Sequence, residues 1–81
     1  MKVSVLLFAS AAEAVGRSQM EVEVSGESSL SAVVEALIAL HGEAEPVLSK
    51  CALALNEQYA GRETRLSQGD VVAFIPPVSG G

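Results

Sequence analysis

Two runs of apolar residues, one near each end of the chain, most constrain the fold. Residues 3–9 alternate between two largely apolar faces, Val3, Val5 and Leu7 on one and Ser4, Leu6 and Phe8 on the other. Residues 71–75 are apolar throughout. A strand that is apolar on both faces is typical of the centre of a sheet, where both faces are covered. We therefore expect the first and last strands to lie side by side in the middle of one sheet.

The segments between these runs predict one main helix and several shorter strands. Residues 30–41 carry apolar side chains at three- and four-residue spacing, the pattern of an amphipathic helix, with Ser29 or Ser28 as its predicted cap and Gly42 at its end. Alternating patterns predict strands at 20–24, 51–55 and 59–60, and Gly16 ends a helical turn at 11–15. The order predicts an α+β fold of the β-grasp type: residues 1–75 form one domain, a mixed four- to five-stranded sheet covered by one main helix.

One helix covers only one face of such a sheet, so the other face is expected to expose apolar residues. The residues predicted on that face are Leu6, Phe8, Ala73 and Ile75, with Ala52 and Ala54 beside them and Tyr59 at the edge. An exposed apolar patch usually marks a surface for a partner. The alternative is a loop that folds over the patch.

The chain ends with Ile75-Pro76-Pro77-Val78-Ser79-Gly80-Gly81. Two prolines end a strand and hold the following segment extended, and two glycines leave a terminus without side chains. We interpret 76–81 as a flexible tail that reaches roughly 20 Å, enough to enter the active site of a partner. The alternative is a frayed terminus without a function.

The composition leaves few groups that could carry out chemistry. One cysteine and one histidine exclude an intramolecular disulfide and a Cys/His metal site, and five basic residues against ten acidic ones, a net charge of −5, argue against nucleic acid as a partner. The sequence has no phosphate-binding glycine motif. The pattern predicts a buried thiol at Cys51 and a surface side chain at His41. The reactive group is therefore predicted to be the main-chain carboxylate of Gly81, activated by partner enzymes.

The apolar run at residues 3–9 is too short for a membrane helix, and no small-residue cleavage site follows a longer apolar core. We therefore expect a cytoplasmic protein that does not bind a membrane.

The tail and the strand before it resemble a known family. Residues 69–81, Gly-Asp-Val-Val-Ala-Phe-Ile-Pro-Pro-Val-Ser-Gly-Gly, are similar to the C-terminal signature of the small subunit of molybdopterin synthase, a MoaD-like sulfur carrier of the MoaD/ThiS family. Phe8-Ala9, followed by Glu13 and Gly16, and Leu55-Asn56-Glu57 resemble further elements of that family. The sequence departs from the family pattern at Ala11-Ala12, where a basic residue often occurs.

The resemblance implies a ubiquitin-like fold and a role as a sulfur carrier. In such a family an E1-like adenylyltransferase (MoeB-like) uses ATP to adenylate the terminal glycine, here Gly81 preceded by Gly80, and a sulfur donor enzyme supports its conversion to a thiocarboxylate. The large synthase subunit (MoaE-like) then accepts the tail and forms the dithiolene of molybdopterin, in a heterotetramer. The implied contacts with partners are Phe8, Tyr59, Ile75, Pro76, Pro77, Val78 and Ser79. No cofactor is expected on the chain itself.

Two other functions are compatible with a Gly-Gly tail on this fold. One is sulfur transfer to another product, such as the thiazole of thiamine or a thiolated tRNA. The other is a ubiquitin-like protein modifier, in which Gly81 joins target lysines.

Overall fold

The computed structural model describes residues 1–77 and contains one five-stranded sheet with the strand order β2-β1-β5-β3-β4. The strands are β1 (Lys2–Leu7), β2 (Gln19–Glu23), β3 (Ala52–Leu55), β4 (Gln58–Tyr59) and β5 (Val71–Ile75). The helices are α1 (Ala9–Val15), α2 (Leu30–Leu40) and α3 (Glu45–Leu48), with a 3₁₀ helix at Gly42–Ala44.

The first and last strands lie side by side in the sheet, as the two apolar runs predict. β1 and β5 are parallel, with Val5 opposite Val72 and Leu7 opposite Phe74. β2 pairs antiparallel with the other edge of β1, and β3 pairs antiparallel with the other edge of β5. Both apolar strands therefore have a neighbour on each side, and the predicted β-grasp fold is confirmed.

The core lies between the sheet and α2. The central strands contribute side chains that are almost completely buried: Val3, Val5, Leu7, Val72 and Phe74. The helix contributes Leu30, Val33, Val34 and Leu37, which follow the predicted helical spacing and are also buried. Leu66 is buried in the same cluster and anchors the long connection before β5.

The start of α2 is capped differently from the prediction. Ser29 occupies the N-cap position, but its side chain makes no capping hydrogen bond. Instead, the backbone N–H groups of Leu30 and Ser31 donate to the carbonyl oxygens of Thr64 (3.0 Å) and Arg62 (2.9 Å). The connection before β5 therefore supplies acceptors for donors that a helix leaves unpaired at its first turn.

The segment after α2 also differs from the prediction. α2 ends at Leu40 with His41 as its C-cap, and Gly42 begins the 3₁₀ helix rather than ending α2. α3 was not predicted; it has Pro46 in its first turn. A proline is tolerated there because the first-turn N–H groups have no partner within the helix. The sheet thus carries α1 and α3 in addition to the one main helix expected.

No helix within residues 1–77 is long and apolar enough to cross a membrane.

Candidate functional site

The sheet face opposite α2 is open and apolar. It holds a shallow depression of about 320 Å³ lined by Leu6, Phe8, Ala54, Glu57, Tyr59, Val71, Ala73 and Ile75. We call this surface the open face. All the predicted residues except Ala52 line it, and Ala52 lies opposite Ile75 in the sheet register. Within residues 1–77 no loop folds over it, so the alternative of a covered patch is wrong for this part of the chain.

Two large side chains stand out from the open face. Phe8 is 48% exposed and Tyr59 is 76% exposed, whereas Phe74 in the neighbouring strand is completely buried on the helix side. Such exposure removes the favourable free energy that burying an aromatic ring would provide. The open face therefore retains apolar area for a partner to bury.

Phe8 is positioned by the junction of β1 and α1. It is the extended residue that precedes α1, and its N–H donates to the carbonyl oxygen of Phe74 at 3.4 Å. This bond continues the β1–β5 ladder by one residue and places Phe8 at the level of Ile75. Ala9 then turns the chain into the helix with φ 47°, a left-handed conformation uncommon for a residue other than glycine.

Tyr59 is positioned by a tight turn between β3 and β4. Asn56 and Glu57 both have positive φ, 50° and 73°, as a two-residue hairpin turn of type I′ requires. Tyr59 therefore lies opposite Ala54 in the register and on the open face.

The Asn56 side chain fixes this turn to the start of β5. Its Oδ1 accepts a hydrogen bond from the N–H of Val71 (3.0 Å), and its Nδ2 donates to Asp70 (3.1 Å). Asp70 also accepts from the N–H of Ser67 (2.7 Å). Asn56 therefore holds the hairpin in place against β5.

The tail leaves from one end of the open face, and we call its first two residues, Pro76 and Pro77, the tail root. β5 ends at Ile75, Pro76 is half-buried and Pro77 is exposed. The two prolines line a second depression of about 200 Å³ together with Ser10, Pro46, Val47 and Lys50. The predicted partner contacts Val78 and Ser79 and the predicted reactive residues Gly80 and Gly81 lie outside the described residues.

Comparison with known proteins identifies the family of the chain. The model of the ThiS family matches residues 5–81. The chain belongs to the ThiS family. This ThiS-family chain is 34% identical to the molybdopterin synthase sulfur carrier subunit of Chlamydomonas reinhardtii, with both chains covered in full. It is also 34% identical to the corresponding subunit of Mycobacterium tuberculosis, over 100% of this chain and 99% of the relative. The family predicted from the tail is confirmed.

Solved structures resemble this ThiS-family chain over its full length. SAMP1 from Haloferax volcanii, small archaeal modifier protein 1, superposes with a TM-score of 0.91 at 28% identity, with both chains covered in full. In the complex of subunits 1 and 2 of the molybdopterin-converting factor from Helicobacter pylori, the matching chain gives a TM-score of 0.71 at 27% identity, again with full coverage of both chains. The fold therefore occurs both in a modifier protein and in a complex of two subunits.

The thiol of this ThiS-family chain is not activated. Cys51 is half-buried, and its Sγ donates to the carbonyl oxygen of Val47 at 3.4 Å. Burial raises the pKa of the Cys51 thiol, so the neutral form dominates at neutral pH. Within residues 1–77 no group of three or more His, Cys, Asp or Glu side chains is arranged to hold a metal ion.

Proposed function

We propose that this chain is the sulfur carrier subunit of a molybdopterin synthase, with its C-terminal residue as the reactive group. The observation that carries the proposal is its similarity, over the full length of both chains, to a curated subunit with that function. The geometry adds support, because Ile75, which lines the open face, is followed directly by Pro76 and Pro77. A partner that covers the open face would have the tail directly beside it.

The proposed chemistry belongs to the main chain of Gly81. Its carboxylate attacks the α-phosphate of ATP on a separate E1-like activating enzyme, and pyrophosphate leaves. A hydrosulfide ion supplied by a sulfur donor enzyme then attacks the acyl-adenylate carbonyl and loses its proton, AMP leaves, and a thiocarboxylate is formed. The large synthase subunit takes up the tail and transfers the sulfur to a pterin precursor. Residues 1–75 act as the docking domain and residues 76–81 as the tail.

Intact-mass spectrometry tests this proposal. After incubation with the cognate activating enzyme, ATP and a sulfur source, the chain should gain about 16 Da, because one oxygen is replaced by sulfur. Deleting Gly81, or adding one residue after it, should abolish the gain and leave the thermal unfolding curve unchanged. An unchanged wild-type mass, under conditions that convert the Chlamydomonas reinhardtii relative, would contradict the proposal.

A second candidate, protein modification, is favoured by the TM-score of 0.91 to SAMP1 at 28% identity. In that function the activated Gly81 carbonyl is attacked by a lysine amine of a target protein, and an isopeptide bond forms as AMP leaves. Immunoblots of cells that express a tagged chain separate the two functions. Gly81-dependent conjugates of higher mass would support modification, whereas a thiocarboxylate without conjugates would support sulfur transfer alone.

A further inference from the structure

The side chains of the open face change from charged to apolar along the strands. At the start of β5, the register joins Glu21 of β2, Ser4 of β1 and Val71 of β5 in one row. Val71 in turn bonds to Asn56, so Glu57 follows at the far side of the same row. Side chains directly opposite each other in a sheet share a face, which places Glu21 on the open face with Ser4.

The next row toward the tail is apolar in its centre. Leu6 lies opposite Ala73, and Ala73 opposite Ala54, which faces Tyr59. The row after that contains Ile75, and β5 then continues into the two prolines. We call the row with Glu21 and Glu57 the acidic row. The acidic row and the tail root therefore lie at opposite ends of the open face.

The carboxylates of Glu21 and Glu57 differ in their surroundings from the acidic side chains nearby. Glu23 has the cation Lys2 opposite it in the register, which offsets its charge. The Asp70 carboxylate already accepts two hydrogen bonds within the domain. Glu21 has only the neutral Ser4 opposite it, and both Glu21 and Glu57 are exposed. Their charges are therefore directed to solvent at the border of the open face.

The charge beside the two prolines that follow the opposite end of the face has the other sign. Lys50 lines the depression that Pro76 and Pro77 share with residues of α1 and α3. A partner surface that matched both ends would be basic beside the acidic row and would not be basic at the tail root. A partner docked in the reverse direction would bring its basic side chains against Lys50.

We propose that Glu21 and Glu57 form an anionic border that orients the large subunit on the open face. This inference rests on the proposed function and names the chemistry of the partner. The large subunit carries an apolar patch with basic side chains at the end away from the opening that receives the tail. Four residues of strand separate the level of Ser4 from that of Phe8, so the basic side chains lie about 13 Å or more from that opening. Charges at the rim of an interface act chiefly on the rate of association and on orientation.

The test measures association of the cognate large subunit by stopped-flow fluorescence at two salt concentrations. The double variant E21Q/E57Q removes the two border charges and keeps the shape of the side chains. The matched control is E35Q/E43Q, which removes two exposed charges from α2 and the 3₁₀ helix, on the other side of the sheet. Circular dichroism checks that both variants are folded.

At low salt the border variant should associate about 3- to 10-fold more slowly than wild type, and its rate should depend less on salt. Its dissociation rate and that of the control should stay within about twofold of wild type. Equal association rates for the two variants would overturn the anionic border while leaving the proposed function intact. Failure of the wild-type chain to bind the large subunit would overturn the proposed function and the border together.

Discussion

Replacing Phe8 with alanine should weaken binding of the large subunit and leave the domain folded. A phenylalanine side chain has an area of about 200 Å². Since 48% of Phe8 is exposed, roughly 100 Å² remains for a partner to bury, at about 25 cal/mol per Å². The exposed part is therefore worth about 2.5 kcal/mol if the partner covers it completely. That free energy corresponds to a roughly 60-fold increase in Kd.

Isothermal titration calorimetry with the large subunit measures this effect, and Leu40→Ala provides a matched control. Leu40 is 64% exposed, but it lies at the end of α2, on the opposite side of the sheet from the open face. Phe8→Ala should raise Kd 10- to 60-fold, whereas Leu40→Ala should change it by less than about twofold. Thermal denaturation of both variants identifies a temperature at which each is fully folded for the titration.

A Kd for Phe8→Ala within twofold of wild type would refute the assignment of the open face as the docking surface. An equal loss of affinity for Leu40→Ala would also refute it, because the loss would then follow exposed apolar area in general rather than position on the open face.

Three further predictions concern stability and the thiol. Asn56→Ala should lower the free energy of unfolding by about 2–3 kcal/mol in urea denaturation, because the N–H of Val71 loses its acceptor and alanine disfavours the φ of 50° at this position. Asn56→Gly should lower it by less, because glycine tolerates that φ. Leu37→Ala, at a position with no exposed surface, should cost about 2–5 kcal/mol and lower the melting temperature by more than 10 °C; a shift under 3 °C would contradict its place in the core. Burial raises the pKa of Cys51 above its unfolded value, so stability should stay constant below that unfolded pKa and fall as pH rises through the folded one. Alkylation of Cys51 by iodoacetamide at pH 7.5 should accordingly be slower in the native than in the urea-unfolded chain, and a faster native rate would refute the unactivated thiol.

The sequence predicted those parts of the fold that follow from local alternation. The two faces of β1 and β5 are visible in the order of their residues, and their pairing follows because a strand that is apolar on both faces is typical of the centre of a sheet. The open face follows in turn, since the sequence contains only one long amphipathic helix. The same alternation predicts Phe8, Tyr59 and Ile75 on one surface, and all three line the open face.

The remaining features depend on contacts between residues far apart in the chain. The cap of α2 comes from carbonyl oxygens of Arg62 and Thr64, more than 30 residues away, and no local pattern at Ser29 indicates it. The Asn56 side chain bonds to Asp70 and Val71, which lie 14 and 15 positions further along the chain. α3 is not indicated by Pro46 alone, because a proline is found both in the first turn of a helix and just beyond the end of one.

The central position of β5 also has a mechanical consequence. The tail continues directly from this strand, which is hydrogen-bonded to β1 on one side and to β3 on the other. A force applied through Pro76 runs along the strand and loads the bonds of both ladders together, in shear, instead of opening them one at a time from an edge. We expect that an enzyme can bind the end of the chain and release it again without separating β5 from the sheet.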